Sequence, residues 1–162
     1  YNRYISIRIH SVTWWFMAVP TRDEADELVK AHKIVSALIR WKPEGQYRWK
    51  LEATVLAVEQ NELLKLCGVV GKRNHSFVLL YQNYPLRKYT KHLQHRDSKT
   101  GQLVKEPHKH IWDESVGDTE VYVPNDINPE DDIDDQFMAF CAECNIELTG
   151  GYQRTSFALS RT

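Results

Sequence analysis

Cysteine is scarce in this chain: 162 residues hold only Cys67, Cys141 and Cys144. So small and odd a count does not build the disulfide framework of a secreted mini-protein, and it suits a reducing cytoplasm. Long apolar runs are missing as well. Nothing approaches the roughly 18 apolar residues a bilayer-spanning helix needs, and the most apolar early stretch, Val12 to Val19, has no signal-cleavage pattern after it. A soluble, cytoplasmic protein with no membrane partner is therefore expected. Internal repeats and low-complexity segments are also lacking. Net charge is nearly absent: 21 Lys plus Arg meet 22 Asp plus Glu, for a balance of -1. That balance argues against a polyanionic partner only if the charges are mixed along the chain.

What is present is a globular composition. Hydrophobic residues make up 42% and charged residues 27%, with five Trp, eight Tyr and five Phe, which excludes disordered, collagenous and coiled-coil chains. The length suits one domain with a real core and is too short for two ordinary ones. The first sixteen residues, YNRYISIRIHSVTWWF, contain no acid, Gly or Pro, and Met17 follows directly. Residues 1–16 are therefore expected to be a non-native or upstream extension, with the domain spanning 17–162. The alternation of Ile5, Ile7 and Ile9 keeps an edge strand open as the other reading.

Hydrophobic periodicity sets the expected elements. Thr21 and Glu24 form a capping-box pair, and Ala25, Leu28, Val29, Val35 and Leu38 or Ile39 continue at helical spacing, which predicts a helix from Asp23 to about Ile39. Trp41 to Gly45 breaks it. Alternate positions Tyr47, Trp49, Leu51, Ala53 and Val55 predict a strand, followed by strands at Leu63–Val70 and His75–Tyr81. Leu86 to Arg96 and Pro107 to Trp112 bracket a polar Asp97–Gly101 tip and read as one antiparallel hairpin. A short strand at Val121–Val123 precedes an acidic lead into a second helix carrying Phe137, Phe140, Cys141 and Cys144 on one face. After Gly150-Gly151 a last strand is expected over Tyr152 to Leu159. The fold class is α+β: a mostly antiparallel sheet packed against two helices.

The charges are not mixed. Between Pro85 and Trp112 lie seven basic residues, Arg87, Lys88, Lys91, Arg96, Lys99, Lys105 and Lys109, against Asp97 and Glu106. The same segment holds His92, His95, His108 and His110 beside Tyr89 and Trp112. From Asp113 to Asp135 there are ten acidic residues and no Lys or Arg. Cations neutralise phosphates and aromatic faces accept unstacked bases, so RNA is the natural partner of the basic block. Arg87, Lys88, Lys91, His92, Arg96, Lys109 and Trp112 are its expected nucleic-acid contacts. Imidazoles titrate near neutrality and serve as general acid and base in phosphodiester cleavage, which makes His108, His110 and His95 the catalytic candidates. A solvated hairpin that keeps an edge strand soluble is the bland reading. On a strand, His108 and His110 share a face, so a metal site with His92 or His95 as third ligand is a further possibility. No metal or other cofactor is required by the pattern.

Cys141 and Cys144 continue the Phe stripe and lack a second ligand pair, so buried apolar thiols are expected rather than a zinc or redox site. Asp131 to Asp135 lacks the spaced Asp and Gly of an EF-hand loop. The acidic stretch is expected to cap its helix, and to fold over the basic hairpin or present a protein-binding surface.

The order DEADELVKAHKIV, PHKHIW, EVYVPNDI, DQFMAFCAECNIEL and GGYQR resembles a domain-of-unknown-function family of small bacterial and phage proteins, whose members carry a PHxH segment followed by an FxxFC…NI helix. That likeness covers most of the chain from Ala18 onward and implies no activity. More loosely, the basic strand, the HxH pair and the aromatic-containing helix are similar to TumE-type toxins, small proteins encoded beside a helix-turn-helix antitoxin. This second resemblance implies a ribonuclease-like or otherwise toxic role for the His and basic positions. The expectation is thus a nucleic-acid-interacting protein of a phage or mobile element, acting as a toxin-like, metal-independent endoribonuclease. The competing expectation is a non-enzymatic factor that binds an antitoxin or host protein through its acidic surface.

Overall fold

The computed structural model describes residues 19–155 in full and residues 4–9 and 12–17 as backbone. Strands β1 (Tyr4–Ile9) and β2 (Val12–Met17) form an antiparallel ladder of their own. Helix α1 (Arg22–Lys30) opens on the expected capping box: the Thr21 hydroxyl accepts from Glu24 N–H, and the Glu24 carboxylate accepts from Thr21 N–H at 3.0 Å. The helix stops nine residues short of Ile39. Ala31 turns to extended backbone, and β3 (Lys33–Ile34) joins the sheet instead. Lys33 explains part of this early end. Its buried ammonium donates to the carbonyls of Leu28, Val29 and Ala31 at 2.6, 2.8 and 2.5 Å, satisfying groups that a longer helix would have bonded itself.

Short strands β4 (Ile39–Arg40) and β5 (Lys42–Pro43) lead into a meander of β6 (Trp49–Ala57), β7 (Glu62–Val70), β8 (His75–Tyr81) and β9 (Tyr84–Lys91). After β9 come β10 (His95–Arg96), β11 (Leu103–Val104), β12 (His108–Asp113) and β13 (Asp118–Tyr122). Helix α2 (Ile133–Glu143), β14 (Ile146–Glu147) and β15 (Tyr152–Gln153) complete the described chain. The main sheet runs β13-β12-β9-β8-β7-β6-β3-β14, with β5 added to β6. Its pairs are antiparallel except β14 on β3, and β15 pairs in parallel with β4. The architecture is α+β with a mostly antiparallel sheet. The expected terminal strand is two residues long here, and its continuation beyond Thr155 lies outside the described residues. Among the described residues no helix is long and apolar enough to cross a membrane.

The alternation read from the sequence puts Leu51, Val55, Leu66, Phe77 and Leu79 into the core. On that face Phe77 meets Phe137 edge-on at 5.4 Å and Phe140 at 5.8 Å, and Trp41 meets Phe137 at 5.9 Å. Trp41 also explains a glycine in mid-strand. A Cβ on Gly68 would sit 2.5 Å from the indole Cη2. Helix α2 starts at Ile133, with the Asp132 carboxylate accepting from Asp135 N–H at 2.8 Å, so the acidic lead supplies its N-cap and first turn.

The expected hairpin is built differently. β9 pairs directly with β12, Thr90 facing His108 and Lys88 facing His110. The chain between them, residues 92–107, leaves the sheet through His92 at φ +59° and forms its own β10–β11 ladder. The Asp97 carboxylate organises its tip, accepting from Lys99 N–H at 3.1 Å, Thr100 N–H at 2.7 Å and the Thr100 hydroxyl at 2.8 Å.

Candidate functional site

Strand β12 sends alternate side chains to opposite faces. His108 and His110 share one face with Lys88 and Thr90 of β9, whereas Lys109 points to the other. The excursion then brings His95 back onto the histidine face. Ring centroids are 4.5 Å apart for His95 and His110, 4.8 Å for His108 and His110, and 6.1 Å for His95 and His108. The three catalytic candidates, two from a core strand and one from the inserted excursion, form one cluster.

Hydrogen bonds set the state of these rings. His108 Nδ1 lies 2.7 Å from the Glu106 carbonyl and so carries the proton, leaving Nε2 to accept from the Thr90 hydroxyl at 3.0 Å. His110 Nδ1 pairs with the Thr119 hydroxyl at 2.9 Å. Among the described residues, the buried Nε2 of His95 has no hydrogen-bond partner. His108 and His110 are 0% and 2% exposed. Burial lowers the pKa of both, with the nearby cation of Lys88 adding to it, and His110 falls to about 3. Burial lowers Lys88 too, opposed by the Asp118 carboxylate. His108 and His110 are thus neutral imidazoles at pH 7.

Other expected contacts are committed elsewhere. Arg87 is buried on the opposite face, 3.1 Å from Glu143 and 3.5 Å from Asp26. Lys109, 0% exposed, pairs with Asp126 and with Glu143 at 2.5 Å. Trp112 is buried and donates Nε1–H to the Pro20 carbonyl at 2.8 Å. Lys91 donates to the Pro129 carbonyl. The expectation that Arg87, Lys109 and Trp112 present a nucleic-acid surface is therefore corrected: phosphate or base could reach them only by displacing core ion pairs and packing. His92, Arg96 and Lys105 stay exposed on the excursion, with Arg96 donating to the Gly101 carbonyl at 2.6 Å.

The acidic block folds onto the basic one. Asp113 holds Lys99 at 2.6 Å, Asp118 accepts from Ser98 at 2.7 Å, and Glu120 pairs with Arg22 at 3.3 Å. Much of the near-neutral balance is internal pairing rather than two open surfaces.

Among the described residues no group of three or more His, Cys, Asp or Glu has metal-binding geometry. Both nitrogens of His108 are engaged, and Asp113 is tied to Lys99. Cys141 and Cys144 are free and buried in the Phe137–Phe140 stripe, and burial raises the Cys141 thiol to about 12. These thiols are core packing. Sequence reasoning missed Thr90, Thr119 and Asp118 around the cluster. The register that brings them there depends on β9 pairing with β12 directly, which the long intervening excursion concealed.

At the other end of the sheet order, a groove of about 500 Å³ is lined by Arg40, Lys42, Trp49 and Arg154. Its Arg154 is already neutralised by Asp135 at 2.5 Å and Asp132 at 3.4 Å.

No protein-family model, no curated protein and no solved structure matches this chain.

Proposed function

We propose that this protein interacts with RNA and acts as a metal-independent endoribonuclease of toxin type, with the His95–His108–His110 cluster and Lys88 as its chemical centre. The observation that carries this reading is the convergence of three imidazoles, two from β12 and one from the excursion, beside one lysine. A neutral imidazole accepts the proton of a ribose 2′-hydroxyl as that oxygen attacks the adjacent phosphorus. With the site open to water, a second imidazole that has taken up a proton delivers it to the departing 5′-oxygen, and the Lys88 ammonium stabilises the extra negative charge on the phosphoryl oxygens. Arg96, Lys105 and His92 on the exposed excursion hold the phosphate backbone. The two helices pack on the opposite face as scaffold. Because His108 and His110 are covered, the closed form is inert, and substrate enters when the excursion lifts.

The test is incubation of purified protein with single-stranded and structured RNA in chelator-treated buffer. Cleavage to 2′,3′-cyclic phosphate ends, lost in His95→Ala and His110→Ala, is expected. Intact RNA at every protein concentration ends the catalytic claim. Salt-sensitive binding without cleavage, weakened by Arg96→Glu with Lys105→Glu, leaves an RNA-binding module. The second reading, a protein-binding factor facing an antitoxin or host protein, is favoured by Glu130 and Asp131 remaining exposed ahead of α2. It predicts no RNA binding at any salt concentration.

A further inference from the structure

We infer that the excursion of residues 92–107 is an acid-opened flap, released from the sheet when the His95–His108–His110 cluster takes up protons. This inference concerns the movement of the chain and holds whether or not the protein binds RNA.

The closed flap tolerates little positive charge at its base. Three rings lie within 4.5–6.1 Å of one another, and the buried Nε2 of His95 has no partner among the described residues. A proton added there creates a buried cation with no acceptor for its N–H. The second N–H of a protonated His108 would face the Thr90 hydroxyl, which would have to turn its lone pair toward it. The surrounding charges are of both signs, the cation disfavouring a further proton and the carboxylates favouring one. From β9 comes the Lys88 ammonium, from β12 the two other imidazoles, from β13 the Asp118 carboxylate, and from the chain ahead of β12 the Glu106 carboxylate. Asp118 already accepts from Ser98 at 2.7 Å and Glu106 from Lys105 N–H at 3.2 Å, so both carboxylates are engaged. Burial holds His108 and His110 below their ordinary range, so both are neutral while the flap is closed.

Opening restores the rings to water, where an imidazole titrates near 6.5. The open state then binds more protons than the closed one at any pH below about 6.5, so acid favours opening. Each imidazole freed from a strongly depressed pKa multiplies the open-to-closed ratio about tenfold between pH 7.5 and 5.5. The other flap contacts do not share this response. Asp97 accepts from Val121 N–H at 3.2 Å and Lys99 holds Asp113 at 2.6 Å. Hydrogen bonds keep both carboxylates below their usual range, Asp113 at about 2 through Lys99 first, so these ties persist at pH 5.5. They act as a tether while the imidazole contacts break. The chain has a hinge suited to this motion at His92, a non-glycine residue at φ +59°.

Native-state hydrogen exchange on the full chain at pH 7.5 and 5.5, corrected for the intrinsic pH dependence of amide exchange, reads the opening directly. Amides of 93–106 are expected to open at least tenfold more at pH 5.5 and to stay much less protected than amides of β7 and β8 at both pH values. His75 lies on the opposite face, bonded to Gln136 at 2.9 Å and lowered by burial to about 4. It titrates with the core, which is why β8 is the control for global unfolding. His95→Gln should reduce the acid response of the flap, because the His95 ring is one of the groups that hold His108 and His110 down, and should leave the fold intact, because His95 is only partly buried. Equal opening at the two pH values overturns the inference, as does flap protection equal to that of β7–β8, which would mean that the flap opens only by global unfolding. A full acid response in both His95→Gln and His110→Gln overturns it as well. Should His110→Gln fail to fold, the wild-type comparison and His95→Gln still decide.

Discussion

A buried lysine with no carboxylate partner needs another source of compensation, and Lys33 finds it in three main-chain carbonyls at the end of α1. Burial lowers its pKa to about 8. The unfolded chain, with an ordinary lysine, binds more protons than the native one between about pH 8 and 10.4, so this group makes stability rise with pH across that window. Lys33→Met is expected to lose about 1–3 kcal/mol at pH 7, because the carbonyls lose their donor. Denaturant titrations of both proteins should show the wild type gaining on the variant from pH 8 to 10. A constant difference would mean that Lys33 titrates normally. Gly68 is a second decisive residue. Its Cβ would strike the Trp41 ring, which is fixed by Phe77, Phe137 and an Nε1–H bond to the Tyr152 hydroxyl at 2.8 Å. Gly68→Ala is therefore expected to cost about 1–3 kcal/mol in chemical denaturation, despite the gain in strand propensity.

At the scale of elements, β12 is the organising strand because its two faces carry different chemistry. One face places His108 and His110 under the excursion, and the other places Lys109 against Asp126 and Glu143. Lys109→Met leaves those carboxylates without their buried cation and is expected to destabilise the protein by about 3–5 kcal/mol, read as a fall in melting temperature. The excursion depends on a single carboxylate at its tip. Asp97→Ala removes the acceptor for Lys99, Thr100 and Val121, so cleavage by trypsin at Arg96 and Lys99 should accelerate while the sheet core keeps its protection. The PHKHIW motif was legible as a strand with His108 and His110 on one face, because side-chain alternation is a local property. Its partner was not. The spacing of Leu86–Arg96 and Pro107–Trp112 suggested a continuous hairpin, whereas the sheet stops at Lys91 and resumes at His108. Likewise the apolar period ran on past Lys30, and only pairing of Lys33 with Ala57 and Ile146 made that segment a strand.

For the molecule as a whole, buried neutral histidines govern the acid side of stability. His75 and His110 are lowered by burial to about 4 and about 3, and His108 is lowered too. Each binds its proton more readily once unfolded, so their contribution is complete above about pH 6.5 and is lost as pH falls toward the folded values. Calorimetry from pH 7.5 to 4.5 should show a falling melting temperature, with each imidazole contributing up to about 1.4 kcal/mol per pH unit inside its window. His75→Gln, which retains a partner for Gln136, should flatten the curve. A melting temperature independent of pH over that range would contradict the buried, neutral state of these rings.

The sequence by itself determined the features that depend on neighbours along the chain. These are the capping box at Thr21 and Glu24, the alternating strands from Trp49 to Tyr81, the apolar stripe that buries Cys141 and Cys144, and the two opposed charge blocks. Propensity, periodicity and charge counting act over a few residues, so they can be read without the fold. Only the tertiary structure decided where α1 ends, which cations are buried in ion pairs, and which imidazoles meet. The small net charge shows the division most clearly. Its cancellation was countable in advance, yet whether it meant two exposed surfaces or one internally paired molecule depended on β12 setting Lys109 against Asp126, and Asp113 against Lys99 of the excursion. Side chains far apart in sequence become partners only through strand register, and register is fixed by the packing of the whole sheet.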